Sequence, residues 1–447
     1  MILIKNGTVV DPANQIHGKF DVLIDNGKII RVGRALKAPR ASVINAAQQI
    51  VAPGFIDMHV HLREPGREDV ETVQSGTAAA AAGGFTAVMA MPNTQPVNDD
   101  ATVTRFILDR ARESGVVTVL PCGAITAGSQ GEVLSEIGEM VKAGAVAISD
   151  DGRPVMNAQV MRRALEYSKI FDIPVVDHCE DQALAAAGVM NEGYHSTRLG
   201  LRGMSSAAEE VPVARDVILA KVTGARVHIA HVSTRGAIQS IREAKRNGIS
   251  ITAEATPHHF TLTDEAVSHY DTHTKMNPPL RSADDVAAVI EGLADGTIDC
   301  IASDHAPHTL EDKMLEYDQA PFGIIGLETA VSLALDRLVR SGCLSIVRLV
   351  ELMSLAPARL LKLPSKGALS PGYDADITIL DVRRTVKVDV RRFRSKGRNT
   401  PFNGWELRGA PVMTIVQGKV VWAAEAHDAG GLAGDGLPMV VDDSNMK

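Results

Sequence analysis

Between residues 53 and about 362 the sequence repeats one pattern eight times: a short apolar run, then a longer amphipathic or turn-rich stretch. The runs are FIDMHV, TAVMAM, VTVLPC, AVAIS, IPVVDH, RVHIAHV, ISITAE and IDCIAS. Helical patterns fall between them, among them VETVQSGTAAAAAG, DATVTRFILDRARES, AQVMRRALEYSKIF, AAEEVPVARDVILAKV, GAIQSIREAKRN and DDVAAVIEGLAD. Strands connected through helices run parallel and bury both faces, which is why these runs are almost wholly apolar. Eight such units predict a closed (β/α)8 TIM-like barrel, a fold that spans about 200 to over 400 residues. The alternative, an open doubly wound sheet, would carry a Gly-x-Gly-x-x-Gly turn after its first strand, and none follows FIDMHV.

The two ends of the chain have a different texture. Residues 1–52 alternate apolar and polar positions in MILIKNGTVV and DVLIDNGKII, with Asn6-Gly7 and Asn26-Gly27 as hairpin signals. After LMSLAPARLLKL the alternation returns in GALSPGYDADITILD, TVKVD and PVMTIVQGKVVW. Residues 1–52 and 363–425 are therefore expected to form one small β-sandwich domain beside a barrel of residues 53–362. The last stretch, 426–447, contains the glycine-rich AGGLAGDGLP and reads as a flexible tail.

Charge and cysteine usage narrow the functions. A net charge of −8 argues against a nucleic-acid or anionic-membrane surface as the main partner, because those need clustered basic faces. Cys122, Cys179, Cys300 and Cys343 are far apart without a Cys-x-x-Cys spacing, which fits reduced thiols in a cytoplasmic protein. The opening MILIKNGTVVDP has no signal-peptide pattern, and no run reaches about 18 apolar residues.

Against this background the polar residues at the strand ends stand out. GFIDMHVHLREPG finishes an apolar strand with His59, His61 and Arg63, which share one face if strand geometry continues. Taken alone, His-x-His fits two buried, hydrogen-bonded histidines as well as a metal site. The same oddity recurs, however: His178 ends the fifth strand, His231 the sixth, Asp304 the eighth with His305 and His308 behind it, and Asp150 and Asp151 the fourth. Barrel enzymes carry their chemistry at these ends, and imidazole with carboxylate suits zinc, manganese or similar divalent ions. Adjacent Asp150 and Asp151 cannot share a face, so one is expected at a metal and the other in a turn. His228 reads as structural, and His258 and His259 as loop or supporting residues.

The motifs GFIDMHVHLREPG, AMPNTQP, SDDGRPV, DHCED, HIAHVST, EATPHHF, KMNPPLR, ASDHAPH and PFGIIGLET, in this order, resemble those of the amidohydrolase superfamily and, within it, the bacterial dihydroorotases. The resemblance implies that His59, His61 and Asp304 hold one metal, that His178 and His231 hold a second, and that Asp151 bridges them. Many relatives bridge with a carboxylated lysine; here no lysine ends AVAISDDG, and Lys142 lies before the strand. It further implies Zn2+, one or two ions per subunit, and hydrolysis of cyclic dihydroorotate to N-carbamoyl-L-aspartate or the reverse. Asp304 is the expected proton-transfer residue and Arg63 the grip on the substrate carboxylate, a geometry that suits guanidinium. The resemblance adds His61, Asn93 and His308 to that grip, and Asn277 with the backbone of Phe322 and Gly323 as contacts to the ring. TLEDKMLEYDQAPFG reads equally as a mobile lid or a plain surface loop. A homodimer or an association with aspartate transcarbamoylase is also implied. The rival readings are another cyclic-amide hydrolase, an allantoinase or dihydropyrimidinase, and a catalytically silent scaffold, which would show gaps in the ligand set.

Overall fold

A computed structural model describes residues 1–424, so the tail expected over 426–447 lies outside the described residues. The chain opens with seven short strands, β1 (Ile2–Lys5), β2 (Thr8–Asp11), β3 (Ile16–Lys19), β4 (Asp21–Asp25), β5 (Lys28–Gly33), β6 (Ser42–Asn45) and β7 (Ile50–Pro53). The barrel strands follow: β8 (Phe55–Val60), β9 (Phe85–Ala90), β10 (Thr118–Gly123), β11 (Ala147–Ser149) and β12 (Val175–Asp177). A two-stranded excursion, β13 (Met190–Asn191) and β14 (Gly203–Met204), precedes β15 (Val227–Ile229), β16 (Ile251–Ala255) and β17 (Cys300–Ile301). The chain then returns as β18 (Ile377–Lys387), β19 (Glu406–Val416) and β20 (Lys419–Ala423).

The eight barrel strands pair in parallel in the order of the chain, with the β13–β14 excursion set aside. Closure comes from the first and last: Val60 bridges His305 in parallel, and the His61 N–H donates to the His305 carbonyl at 2.9 Å. The fold is thus a nearly closed (β/α)8 barrel with additional β-sheets, as the repeating pattern predicts. Chain-end strands mix in the six-stranded sheet β20-β19-β18-β7-β2-β3, while β5-β4-β1-β6 form a second sheet. Ile56, Met58, Met89, Cys122, Val176 and Cys300 belong to one buried cluster contributed by the barrel strands. Helices begin where side chains cap them: Thr72, Asp100, Asn157, Thr234 and Ser282 each accept a backbone N–H of the following first turn.

One irregularity matters for the site. The β8–β9 register slips between Asp57 and Val60, where the Asp57 carboxylate accepts the His59 N–H at 3.1 Å and the Ser303 N–H at 3.0 Å. A bulge of this kind re-aims the side chains beyond it. Met58 stays in the apolar cluster while His59, its immediate neighbour, lies among the carboxylates at the barrel mouth.

Candidate metal centre

Asp151, two residues past β11, is the hub of the mouth. Its Oδ1 lies 3.3 Å from His59 Nε2 and 3.5 Å from both His178 Nδ1 and His231 Nε2, and its Oδ2 lies 3.5 Å from His61 Nε2. Asp304 Oδ1 closes the group at 3.2 Å from His61 Nε2 and 3.6 Å from His59 Nε2. All six side chains are buried. The structure therefore brings together the six residues that the family resemblance implies as metal ligands. Asp150 does something else: its carboxylate accepts the Ile125 and Thr126 N–H groups and the Thr126 hydroxyl, fixing the preceding loop.

Local backbone supports this convergence. Arg63, His231 and Asp304 have φ values of 60°, 29° and 47°, a left-handed region that costs non-glycine residues roughly 1–3 kcal/mol each and persists only where surroundings enforce it. Next to Asp304, Ser303 N–H is held by Asp57, and the Ser303 hydroxyl accepts the His305 N–H. His305 faces away from the centre: its Nδ1 accepts the Gly326 N–H at 3.2 Å, and its Nε2 donates to Glu71 at 3.2 Å.

The imidazoles are oriented from behind. Glu254, next to the end of β16, binds His59 Nδ1 at 2.7 Å and His228 Nε2 at 3.2 Å, and Asn93 Oδ1 takes His61 Nδ1 at 2.8 Å. Both arrangements leave Nε2 for the centre. His178 is turned the other way, with Nδ1 toward Asp151 and Nε2 3.7 Å from Glu180, whose carboxylate accepts the Asn277 amide at 2.6 Å. No sequence motif marks Glu254 or Glu180 for these roles, although Glu254 ends the apolar run ISITAE much as the histidines end theirs. His259 bonds Thr256 and the Pro278 carbonyl, a supporting role beside Asn277.

The donor set fits a divalent cation. His59 Nε2 and Asp151 Oδ1 are buried without a hydrogen-bond partner, an uncommon condition for polar atoms unless something else satisfies them. His178 Nδ1 and His231 Nε2 face each other at 3.0 Å across the same carboxylate oxygen. Two overlapping triads, His59-His61-Asp151 and Asp151-His178-His231, offer the imidazole and carboxylate donors that suit zinc and its neighbours. Electrostatics point the same way. Burial opposes a proton on His59, yet Asp151, Glu254 and Asp304 outweigh it and raise its pKa well above the ordinary value. A third cluster, Asp177-Cys179-Asp216, is already engaged by Arg215, whose guanidinium lies 2.8 Å from Asp216 and 2.9 Å from Asp177 and also holds the Val155 carbonyl.

Of the residues expected at a substrate, Asn93 bonds His61 and Asn277 Nδ2 lies 3.4 Å from His178 Nε2. Arg63 donates Nε to the Pro307 carbonyl at 3.2 Å, and burial lowers its pKa to about 10. His308 Nε2 donates to the Phe322 carbonyl at 2.7 Å. Gly323 adopts φ 118° and gives its N–H to Lys275; a side chain there would meet Ala306 Cβ at 2.7 Å and His308 Nε2 at 3.2 Å. The 309–321 segment is tied down by Lys313, whose buried ammonium donates to the carbonyls of Thr272, Lys275 and Pro321.

Glu254 gives a test of the centre. Glu254→Gln should weaken divalent-ion affinity roughly 10- to 100-fold, the usual effect of losing such a supporting carboxylate. Competition titration against a chromogenic chelator reads it directly; unchanged affinity would show that His59 needs no anchor.

Comparison with known proteins places the chain among its relatives. Residues 48–237 match a family model described as dihydro-orotase-like. A dihydroorotase of Pelotomaculum thermopropionicum is 60% identical over 94% of this chain and 98% of the relative, and one of Geobacter metallireducens is 53% identical over 94% and 99%. Among solved structures, the L-hydantoinase (dihydropyrimidinase) of Arthrobacter aurescens superposes with a TM-score of 0.86 at 28% identity, over 94% of this chain and 95% of that one. A dihydropyrimidinase of Brevibacillus agri has a TM-score of 0.82 at 23% identity over 94% of each chain and shares the fold.

Proposed function

This chain belongs to the dihydroorotase family, and from that membership we propose how its barrel mouth performs the family's reaction. The reaction is the reversible cyclisation of N-carbamoyl-L-aspartate to (S)-dihydroorotate and water in pyrimidine biosynthesis, and the chain is a cyclic-amide hydrolase. The observation that carries the site assignment is Asp151 within 3.5 Å of four imidazoles, with Asp304 beside two of them.

We assign His59, His61, Asp151, His178, His231 and Asp304 to a centre of one or two divalent ions, with zinc as the ion. When bound, such an ion supplies a nucleophile at neutral pH and draws electron density from an amide carbonyl. Arg63, assisted by Asn93 and His308, takes the ring carboxylate, since a planar guanidinium matches a carboxylate with two parallel hydrogen bonds. Asn277 and the backbone at Phe322 and Gly323 orient the ring amide. Asp304 accepts the proton of the attacking water as its oxygen bonds to the ring carbonyl carbon. The same carboxyl returns that proton to the ring nitrogen as the carbon–nitrogen bond breaks, and ring closure runs these transfers in reverse.

Arg63→Ala should raise the KM for dihydroorotate roughly 10- to 100-fold while kcat and bound metal change little, because the lost contact serves substrate and transition state alike. Steady-state kinetics with metal analysis on the same samples checks this; an unchanged KM removes Arg63 from the grip. Dihydroorotate and the carboxylate-free dihydrouracil should be compared in the same assay. Turnover of the first and not the second is the expected result, and the opposite preference would favour a dihydropyrimidinase-type activity.

Among the described residues no helix is long and apolar enough to cross a membrane. Cys122, Cys179 and Cys300 are buried free thiols, which supports a cytoplasmic location. The six-stranded sheet shared by the chain ends supports treating 1–52 and 363–425 as one β domain beside a barrel of 53–362. A homodimer, or a complex with aspartate transcarbamoylase, is tested by gel filtration of the chain alone and with that enzyme.

A further inference from the structure

The connection between β18 and β19 leaves the terminal sheet and reaches the barrel mouth. Its residue Asn399 is 2% exposed, and every hydrogen-bonding group of its side chain is engaged. Oδ1 accepts the His308 N–H at 3.1 Å; Nδ2 donates to the Ala306 carbonyl at 3.0 Å and to the Gly323 carbonyl at 3.1 Å. The Asn399 carbonyl also accepts the Ile325 N–H at 2.9 Å. One side chain therefore joins the segment 306–308, which carries His308 and the Pro307 carbonyl that anchors Arg63, to the segment 323–325.

The strap itself is fixed at its other end. Glu71, fully buried after the first barrel strand, accepts the Ser395 hydroxyl and the Lys396 N–H and binds His305 Nε2. Gly397 passes so close to the mouth that a Cβ would lie 2.7 Å from Ile325 and 2.8 Å from Pro307. A position this crowded and this fully bonded transmits its placement to its neighbours.

We propose that Asn399 is a positioning residue for substrate recognition: it sets the spacing between the His308–Arg63 side of the pocket and the Phe322–Gly323 side, and so the grip on a carboxylated ring. The inference rests on the reading of His308 and Arg63 as carboxylate contacts. Asn399 touches no metal-centre residue in its hydrogen bonding, so its effect falls on binding rather than on the centre.

The test is a kinetic cycle with Asn399→Ala, His308→Ala and the double variant, each with thermal midpoint and bound metal recorded. Asn399→Ala should raise the KM for dihydroorotate roughly tenfold, with kcat within about threefold and metal content unchanged. In the His308→Ala background the same change should raise KM by clearly less than tenfold, the remainder acting through Arg63 and Gly323, because coupled positions are not additive. Asn399→Asp keeps the acceptor for His308 but loses both donors, and serves if the alanine variant does not fold. Gly397→Ala is the independent check, since it retains Asn399 and displaces the strap; it too should raise KM. An unchanged KM in the folded Asn399 variant or in Gly397→Ala overturns the proposal, as does a full effect in the His308→Ala background. If His308→Ala itself leaves KM unchanged, the carboxylate reading is what fails; if it raises KM and the Asn399 variants do not, only this inference does.

Discussion

Asp304→Asn should lower kcat by roughly 10^2- to 10^4-fold, the range that a positioned proton-transfer group supplies, and by the same factor for ring opening and ring closure. The fixed equilibrium constant requires an equal fall in kcat/KM for the two directions, and one carboxylate serving both proton transfers places that fall in kcat. Burial opposes ionisation of Asp304, but His59, His61 and His231 outweigh it and hold its carboxyl well below the ordinary carboxylate range, so it meets substrate as a proton acceptor. Its left-handed backbone, φ 47°, sets the side chain beside His61 rather than back along β17. Asparagine keeps the volume and an oxygen and loses the basicity together with the negative charge. Initial rates in both directions, with metal content on the same sample, separate loss of the proton acceptor from loss of the ion. Near wild-type turnover by a metal-loaded Asp304→Asn would take Asp304 out of the proton path.

The barrel was legible because its two periodicities differ so clearly. AQVMRRALEYSKIF, marked as helical by its 3.6-residue apolar spacing, forms the helix Ala158–Phe171. The strands after β11 are shorter than their apolar runs: RVHIAHV contributes Val227–Ile229 and IDCIAS only Cys300–Ile301. The polar residues past each strand leave the ladder to enter the mouth, and His231 and Asp304 do so with positive φ that no β-strand accommodates. Strand alternation suggested that His59, His61 and Arg63 share a face. They do meet at the mouth, but through a register slip at Asp57 and a left-handed Arg63 rather than an unbroken strand.

What stayed hidden was pairwise and distant. Glu254 binds His59 from 195 positions away, and nothing in a local pattern links the two, although a carboxylate at a strand end was itself a signal. Asn399 lay further out of reach. It sits in a connection with neither helical nor strand periodicity, in a part of the chain whose alternating texture pointed to a separate β domain. Its partners are backbone groups of 306–308 and 323, which leave no mark on residue type. Ligands are readable one strand at a time, whereas the groups that orient them depend on which strands become neighbours.

Removing divalent ions should abolish turnover, a loss of at least about 10^3-fold, because the ion both generates the nucleophile and activates the carbonyl. Zinc should restore it, and Asp151 decides whether restoration is possible. Among the described residues Asp151 is the one carboxylate near all four imidazoles, and the imidazoles, His59 foremost, overcome its burial and hold its carboxyl well below the ordinary range. Asp151→Ala should therefore stay inactive after zinc is added, with less metal retained than in the parent. A second readout does not depend on activity. An ion that binds only the folded chain stabilises it by about 4 kcal/mol at 1,000 times its Kd, so chelation should lower the thermal midpoint of the parent protein. Asp151→Ala should begin near that lowered midpoint and respond little to zinc or chelator. A chelated parent that still turns over dihydroorotate would sink the metal-centre assignment. A zinc-dependent rise in midpoint as large in Asp151→Ala as in the parent would move the ion away from Asp151.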